Sequence, residues 1–282
     1  MRRLSFKEVQ DELLDILSEF DRVCRENNIR YTLAYGTLIG AVRHKGFIPW
    51  DDDVDVCVPR PDYERLVQLA KEGVFKKNFV LTGDRNKGDY HAFAKLVNTD
   101  VPIKTGNHIE VPYLFLDVFP LDGMPESKEE IDKMFRKENR WSVIKGITEW
   151  YTMYKWWGPI AWIIGWWFYL GVMVFGGHYR MLRKLNKSAL RYPFGESELC
   201  GVHGVGYKRG IFPTKYMDEL CELEVEGRKF LAMSNWDDWL TRRYGDYMQL
   251  PPKNQRVSHH YFRAYRAEEG EVVKKKKIKF PF

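Results

Sequence analysis

Apolar residues recur at helical spacing from the start of the chain. Phe6, Val9, Leu13, Leu17, Phe20 and Cys24 share one face, Ser5 with Glu8 forms a capping-box pair ahead of them, and Asn27-Asn28 ends the run. An amphipathic helix is predicted. Ile29, Tyr31 and Leu33 then alternate as a short strand, and Gly36-Thr37-Leu38-Ile39-Gly40-Ala41-Val42 reads as a small-residue turn running into a second helix. Val54, Val56 and Val58 alternate with Asp53, Asp55 and Cys57, which predicts a strand carrying carboxylates on one face. Pro61 suits the first turn of a third helix, with Asp62 and Glu64 beside it, Tyr63, Leu66, Val67 and Ala70 on one side, and Gly73 as terminator. Further strands are expected at 79–81, 91–97 and 113–119, and Ser127 with Glu130 starts a helix running to about residue 145. This part of the chain reads as α/β, with a sheet of about five strands.

The pattern changes after that. No residue from Trp156 to Gly177 is charged, and Trp150, Trp156, Trp157, Trp162, Trp166 and Trp167 crowd into eighteen positions. At about 1.5 Å per residue such a helix is long enough to cross a bilayer. A single crossing, however, would separate the 244–260 region from Asp53 and Asp55. The reading adopted is an in-plane or re-entrant element at a membrane interface, with Arg180, Arg183 and Lys184 behind it. An aromatic helical subdomain packed in a soluble core is the competing reading. A glycine-rich loop is expected at 201–210 and a Trp-containing helix at 230–244, followed by Leu250-Pro251-Pro252 and a basic end, Lys274 to Lys277 with Lys279. The expected organisation is a core at 1–140, an aromatic insert at 141–195, and a segment at 196–282 that packs back on the core.

Composition narrows the class. With 282 residues, 44% hydrophobic and 30% charged, the chain matches neither a disordered nor a polytopic membrane protein. The net charge of +6 is modest and inflated by the basic end, which argues against a nucleic-acid partner. Cys24, Cys57, Cys200 and Cys221 are far apart, so reduced thiols are expected. Met1-Arg2-Arg3 leads into a charged amphipathic segment, with no secretory signal visible, and a cytoplasmic location is expected.

The chemistry concentrates between Tyr35 and Val56. Asp53 and Asp55, two apart on a strand, point the same way and would repel unless they share a divalent metal, magnesium or alternatively manganese. Such an ion also grips nucleotide phosphates during phosphoryl transfer. Gly36 lets the backbone approach those phosphates, the following helix offers its N-terminal N–H groups, and Arg43, His44 and Lys45 add positive charge. Asp117 is the best third acid, because Leu114, Leu116 and Val118 form the apolar face of its strand. Lys95 reads as a phosphate ligand or an edge lysine. An EF-hand is excluded, since Val56 stands where its glycine belongs and Asp62 where its glutamate belongs. A glycosyltransferase Asp-x-Asp motif would also bind a metal and a nucleotide diphosphate.

A glycine-containing turn, an Asp-apolar-Asp pair and a third carboxylate are the combination of nucleotidyltransferase-fold enzymes. The block from Tyr35 to Val56, the later Leu116-Asp117-Val118-Phe119-Pro120-Leu121-Asp122, and Tyr244-Gly245-Asp246-Tyr247 with His259-His260 together resemble the LicD family of phosphocholine transferases, related to fukutin-type phosphotransferases. The resemblance implies a nucleotidyltransferase-like α/β core with a mixed sheet. It also implies transfer of phosphocholine from CDP-choline to a hydroxyl of a cell-surface glycan precursor of teichoic acid or lipopolysaccharide type, releasing CMP. Asp53 and Asp55 would hold the metal, Asp117 would complete that site or take the acceptor's proton, and Gly36 and Thr37 would contact the phosphates. His259 and His260 would face phosphate or acceptor, although by themselves they read equally as one buried and one exposed histidine. The acceptor would be lipid-linked, at the inner face of the cell membrane. The alternatives are another phospho-alcohol, nucleotidyl or glycosyl transferase on this scaffold, and a non-catalytic glycan or membrane adaptor.

Overall fold

The computed structural model describes residues 1–83, 92–105, 111–150, 163, 166, 167, 170, 171, 174, 177–204, 210–258 and 262–267. After the short β1 (Arg2–Arg3), α1 (Phe6–Glu26) starts with the capping box read from the sequence: Glu8 N–H donates to Ser5 Oγ at 3.3 Å, and Ser5 N–H to the Glu8 carboxylate at 2.7 Å. Its apolar face, including Leu13, Ile16, Leu17, Phe20 and Val23, is buried. Next come β2 (Thr32–Leu33), α2 (Tyr35–His44), β3 (Asp55–Pro59), α3 (Arg60–Lys71), β4 (Phe79–Gly83), β5 (Ala94–Thr105) and β6 (Tyr113–Gly123). α4 (Lys128–Trp150) and α5 (Gly177–Ala189) follow, then β7 (Leu199–Gly201), β8 (Phe212–Pro213), β9 (Leu220–Val225), β10 (Arg228–Met233), α6 (Trp236–Tyr244) and β11 (Phe262–Arg266).

The main sheet runs β1-β11-β5-β6-β3-β2, with β4 on β5 and β7 joined to β6 and β8. It is mixed: β3 and β6 are parallel, and the other pairs are antiparallel. The order draws distant parts of the chain together. β11 pairs with β1 on one side and with β5 on the other, so the last described strand lies within the sheet that carries Asp55 and Asp117.

Three elements differ from their sequence-based expectations. β3 begins at Asp55, not Asp53, so the three residues Asp51 to Asp53 lie in irregular backbone. β5 extends to Thr105 through a register shift between Asn98 and Pro102, well beyond 91–97. Residues 230–233 are strand rather than helix, paired with β9 across a tight turn in which Glu226 and Gly227 have φ of 51° and 79°. Successive positive φ values are the signature of a hairpin turn matched to strand twist, and Gly227 supplies one of them without a steric penalty. The apolar run at 230–233 suits either element, and the turn decides it.

A buried polar cluster joins α4 and α5 to the sheet. His203 Nδ1 and Glu138 Oε1 are 2.7 Å apart, His203 Nε2 faces the Gly123 carbonyl at 3.3 Å, and Glu138 also accepts from Ser188 Oγ at 2.8 Å and Gly204 N–H at 3.2 Å. Burial pushes His203 down, but the hydrogen bond and charge of Glu138, with Asp122, outweigh it and leave its pKa raised. Burial pushes Glu138 up, and His203, Ser188 and Gly204 outweigh that and leave it lowered. A raised histidine stabilises below its unfolded pKa and ceases to do so as pH rises through the folded one, whereas a lowered carboxyl stabilises above its unfolded pKa and fails as pH falls through the folded one. Thermal melting between about pH 4 and pH 10 should therefore show an alkaline loss of stability that His203→Gln lacks.

Among residues 163–174 the described positions are helical, and Ile163, Trp166, Trp167 and Val174 are exposed. No helix among the described residues is long and apolar enough to cross a membrane. All four cysteines are free.

Candidate active site

The β2–α2 turn closes onto the start of β3. Ala34 N–H donates to the Asp55 carbonyl at 3.0 Å, and Asp55 N–H donates back to Thr37 Oγ1 at 2.9 Å. The same strand end is tied to its other neighbour by Asp117 N–H, which donates to the Val54 carbonyl at 2.8 Å. Asp55 and Asp117 are partners in the parallel register of β3 and β6, and Lys95 is the partner of Asp117 on β5. Partners in register project to the same face of a sheet. Asp55, Asp117 and Lys95 thus form a row across three strands, all buried, with Lys95 Nζ 2.5 Å from Asp117 Oδ1.

Beside this row stands the acidic loop. Asp51, Asp52 and Asp53 each offer a carboxylate oxygen, all within 4.8 Å of one another. Gln10 Nε2 of α1 holds the loop's backbone, donating to Asp51 O at 3.0 Å and Ile48 O at 3.3 Å. Ser258 donates to the Asp52 carboxylate, which brings the C-terminal segment to the loop. His259 and His260 lie outside the described residues. Burial pushes the Asp55 carboxyl well above the usual range, and the charges of Asp53, Asp117 and Asp51 push it further, against Lys95. Clustered anionic oxygens of this kind fit a hard divalent cation such as magnesium or manganese. Of the predicted trio, Asp53 clusters with Asp51 and Asp52, while Asp55 and Asp117 stand in register on the neighbouring strands, with Lys95 paired to Asp117.

Gly36 is needed for the approach of Asp51. A Cβ on Gly36 would lie 2.5 Å from Asp51 Oδ2. Gly36→Ala should therefore displace that carboxylate with little strain on the backbone. Turnover should fall roughly tenfold or more, with divalent-cation affinity, while the melting temperature moves by only about 2 °C. Steady-state kinetics, calorimetric titration with Mn2+ and a melting curve check this.

The cations predicted on α2 sit elsewhere. Arg43, His44 and Lys45 are at its far end, roughly 10 Å along the axis from Thr37. Arg43 Nη1 donates to Tyr247 O at 2.6 Å, its Nε donates to His44 Nε2 at 2.9 Å, and Lys45 takes a left-handed φ of 56° as the C-cap. Burial and the neighbouring Arg43 lower the His44 pKa. Sequence reasoning missed Gln10 and Ser258. A glutamine next to Val9 of the apolar stripe of α1 was the available signal for the first, and Ser258 left none.

Comparison with known proteins completes the picture. Residues 28–148 match the family described as LicD/FKTN/FKRP, nucleotidyltransferase domain. Over 281 residues, 94% of this chain and 99% of the relative, the chain is 30% identical to the lipopolysaccharide cholinephosphotransferase LicD of Haemophilus influenzae. The chain belongs to the LicD family. Shorter likenesses extend to an uncharacterised protein of Rickettsia prowazekii, 40% identical over 60 residues covering 21% of this chain and 23% of that protein. Another, of Rickettsia typhi, is 32% identical over 80 residues, 26% of each. As a LicD-family member the chain is a transferase, and its mixed α/β sheet is the family's nucleotidyltransferase-like core. The matched domain contains Gly36, Asp51 to Asp55, Lys95 and Asp117, while Ser258 and α6 come from outside it.

Proposed function

We propose that this protein transfers phosphocholine from CDP-choline to a hydroxyl of a glycan of lipopolysaccharide type and releases CMP. The observation that carries the reading is the buried row of Asp55, Asp117 and Lys95 beside the Asp51–Asp53 loop, in a chain whose full-length relative is a lipopolysaccharide cholinephosphotransferase. Asp51, Asp52 and Asp53, with Asp55 behind them, would hold a divalent cation, magnesium or manganese, which when bound neutralises charge on the donor's phosphates. Asp117, held by Lys95, accepts the proton of the acceptor hydroxyl as its oxygen bonds to the β-phosphorus and the anhydride bond to CMP breaks. Thr37 and Gly36 keep Asp55 and Asp51 in place during the exchange. Incubation with CDP-choline, CDP-ribitol, CDP-glycerol or a UDP-sugar, each with Mg2+, followed by assay of released nucleotide, tests the donor. CMP should appear with CDP-choline and an acceptor glycan. Release that survives both Asp53→Ala and Asp55→Ala would overturn the assignment of the metal ligands.

The same reading includes a lipid-linked acceptor at the inner face of the cell membrane. It is supported by the exposed Ile163, Trp166, Trp167 and Val174, and by the exposed Arg180, Arg183 and Lys187 on α5, whose opposite side buries Met181, Leu182 and Leu185. Exposed tryptophans and a basic stripe suit an anionic interface, at about 1 kcal/mol for each basic residue near the surface. Flotation with vesicles containing phosphatidylglycerol tests it. Recovery of all the protein in the vesicle-free fraction at low salt would remove the membrane from the reading.

A further inference from the structure

Tyr35 is the first residue of α2, yet its φ is 48°. A bulky aromatic in the left-handed region is strained, and such a conformation persists only where the surroundings over-determine it. Aromatic and cationic side chains pack against this ring. Phe119 meets it edge-on at 5.4 Å between centroids, Trp239 lies tilted at 5.6 Å, and the Arg243 guanidinium sits 4.4 Å from the ring centroid. Phe119 comes from β6, two residues beyond Asp117, but Trp239 and Arg243 both come from α6. The following turn takes hold of the other end of α2, where Arg43 donates to Tyr247 O at 2.6 Å. The segment from 236 to 247 therefore grips α2 at both ends.

What α2 carries makes this matter. The residues directly after Tyr35 are Gly36, against which Asp51 packs, and Thr37, whose hydroxyl accepts the Asp55 N–H. A rotation of Tyr35 about its strained backbone moves both. α6 supplies the guanidinium at the right place for local reasons: Asp237 and Asp238 stand in its first turn and Arg242 and Arg243 in its last, each matching the helix dipole, while Trp239 and Leu240 are buried. Of the two arginines, Arg242 turns back to Asp238 at 2.6 Å, and Arg243 reaches Tyr35.

We propose that Arg243 is a positioning residue, which by stacking on Tyr35 holds the first turn of α2 in its strained conformation and thereby sets Asp51 and Asp55 for the reaction. The inference rests on the transfer reaction proposed above for its kinetic readout. A planar cation over an aromatic face holds the ring by direction as well as by charge, so lysine is an incomplete replacement.

The test compares Arg243→Ala and Arg243→Lys with Arg242→Ala and the wild type. For Arg243→Ala, kcat for CMP release should fall roughly 10–100-fold with the KM for CDP-choline within about twofold, because displacement of reacting groups, rather than loss of a donor contact, is the defect. Added guanidinium ion should restore part of kcat. Arg243→Lys should fold like the wild type and fall between the two, and Arg242→Ala should match the wild type. Near-ultraviolet circular dichroism, which reads the packing of Tyr35 and Trp239 without turnover, should change in Arg243→Ala and not in Arg242→Ala. A raised KM with unchanged kcat would make Arg243 a direct donor contact and overturn the proposal. So would unchanged kinetics, or loss of kcat in step with a fallen melting temperature and no rescue by guanidinium. Should the wild type release no CMP, the reaction assignment fails by itself. An unchanged aromatic spectrum in Arg243→Ala would then still reject the proposal, and a changed one would uphold the brace.

Discussion

Asp55→Asn is expected to lower CMP release by roughly 10²–10³-fold while making the metal-free protein more stable. The two effects have one cause. Asp55 is buried, with its neighbours Asp53, Asp117 and Asp51 all carrying the same sign, against Lys95. In the absence of a cation the ionised form is a source of repulsion in a low-dielectric site, and its raised pKa means that it destabilises the fold at neutral pH. Asparagine keeps the size and removes the charge. Measured in EDTA, the melting temperature of the variant should rise by about 2–4 °C, the equivalent of roughly 1 kcal/mol for a chain of this class. With saturating Mg2+ the order should reverse, because the wild type gains binding free energy that the variant lacks. A variant less stable than the wild type in EDTA would show that Asp55 belongs to the scaffold and not to a charged site.

The largest loss of stability is expected at the other end of the same strand pair. Arg60 opens α3 and meets Asp122 of β6 through two bonds, Nε to Oδ1 at 2.7 Å and Nη2 to Oδ2 at 2.6 Å, with Arg60 7% and Asp122 1% exposed. Removing Asp122 takes both close carboxylate bonds from a buried guanidinium and leaves it Glu64 at 3.4 Å, at a cost of about 3 kcal/mol. Asp122→Ala should therefore lower the melting temperature by roughly 10 °C. The double variant Arg60→Met with Asp122→Leu should regain most of it, since two apolar groups leave no stranded charge. Failure of the double variant to recover would mean that the geometry of the pair, not the desolvated charge, holds α3 to the sheet. The contrast with Asp117 is informative. Asp117 and Asp122 stand five residues apart in one motif, yet one faces the acidic row and the other locks a helix to the sheet.

That contrast marks how far the chain could be read in advance. The helix α1 with its capping box and the carboxylate on β6 are local patterns that stand where their spacing placed them, whereas Gly36 to Val42, expected as a turn running into a helix, lies wholly within α2. The strand pattern failed at Asp53 because alternation continues in the sequence while the backbone leaves the sheet before Asp55. It failed again at 230–233, where a two-residue turn outweighed an ambiguous apolar run. The pairs that hold the molecule together left no trace in spacing. Arg60 with Asp122, Glu138 with His203, Lys95 with Asp117, and Arg243 with Tyr35 each join elements far apart in the chain.

The amino-acid order by itself determined elements such as α1 and α3, because those preferences act within a few residues, and it placed the acids of Asp51 to Asp55 beside the glycine of α2. Tertiary structure decided which acids meet. Register between β3, β5 and β6 aligned Asp55, Asp117 and Lys95, and the return of the C-terminal segment brought Ser258 and Arg243 to the site. Such encounters depend on closing long loops against a common core, whose outcome is set by the sum of all buried contacts and by no local pattern.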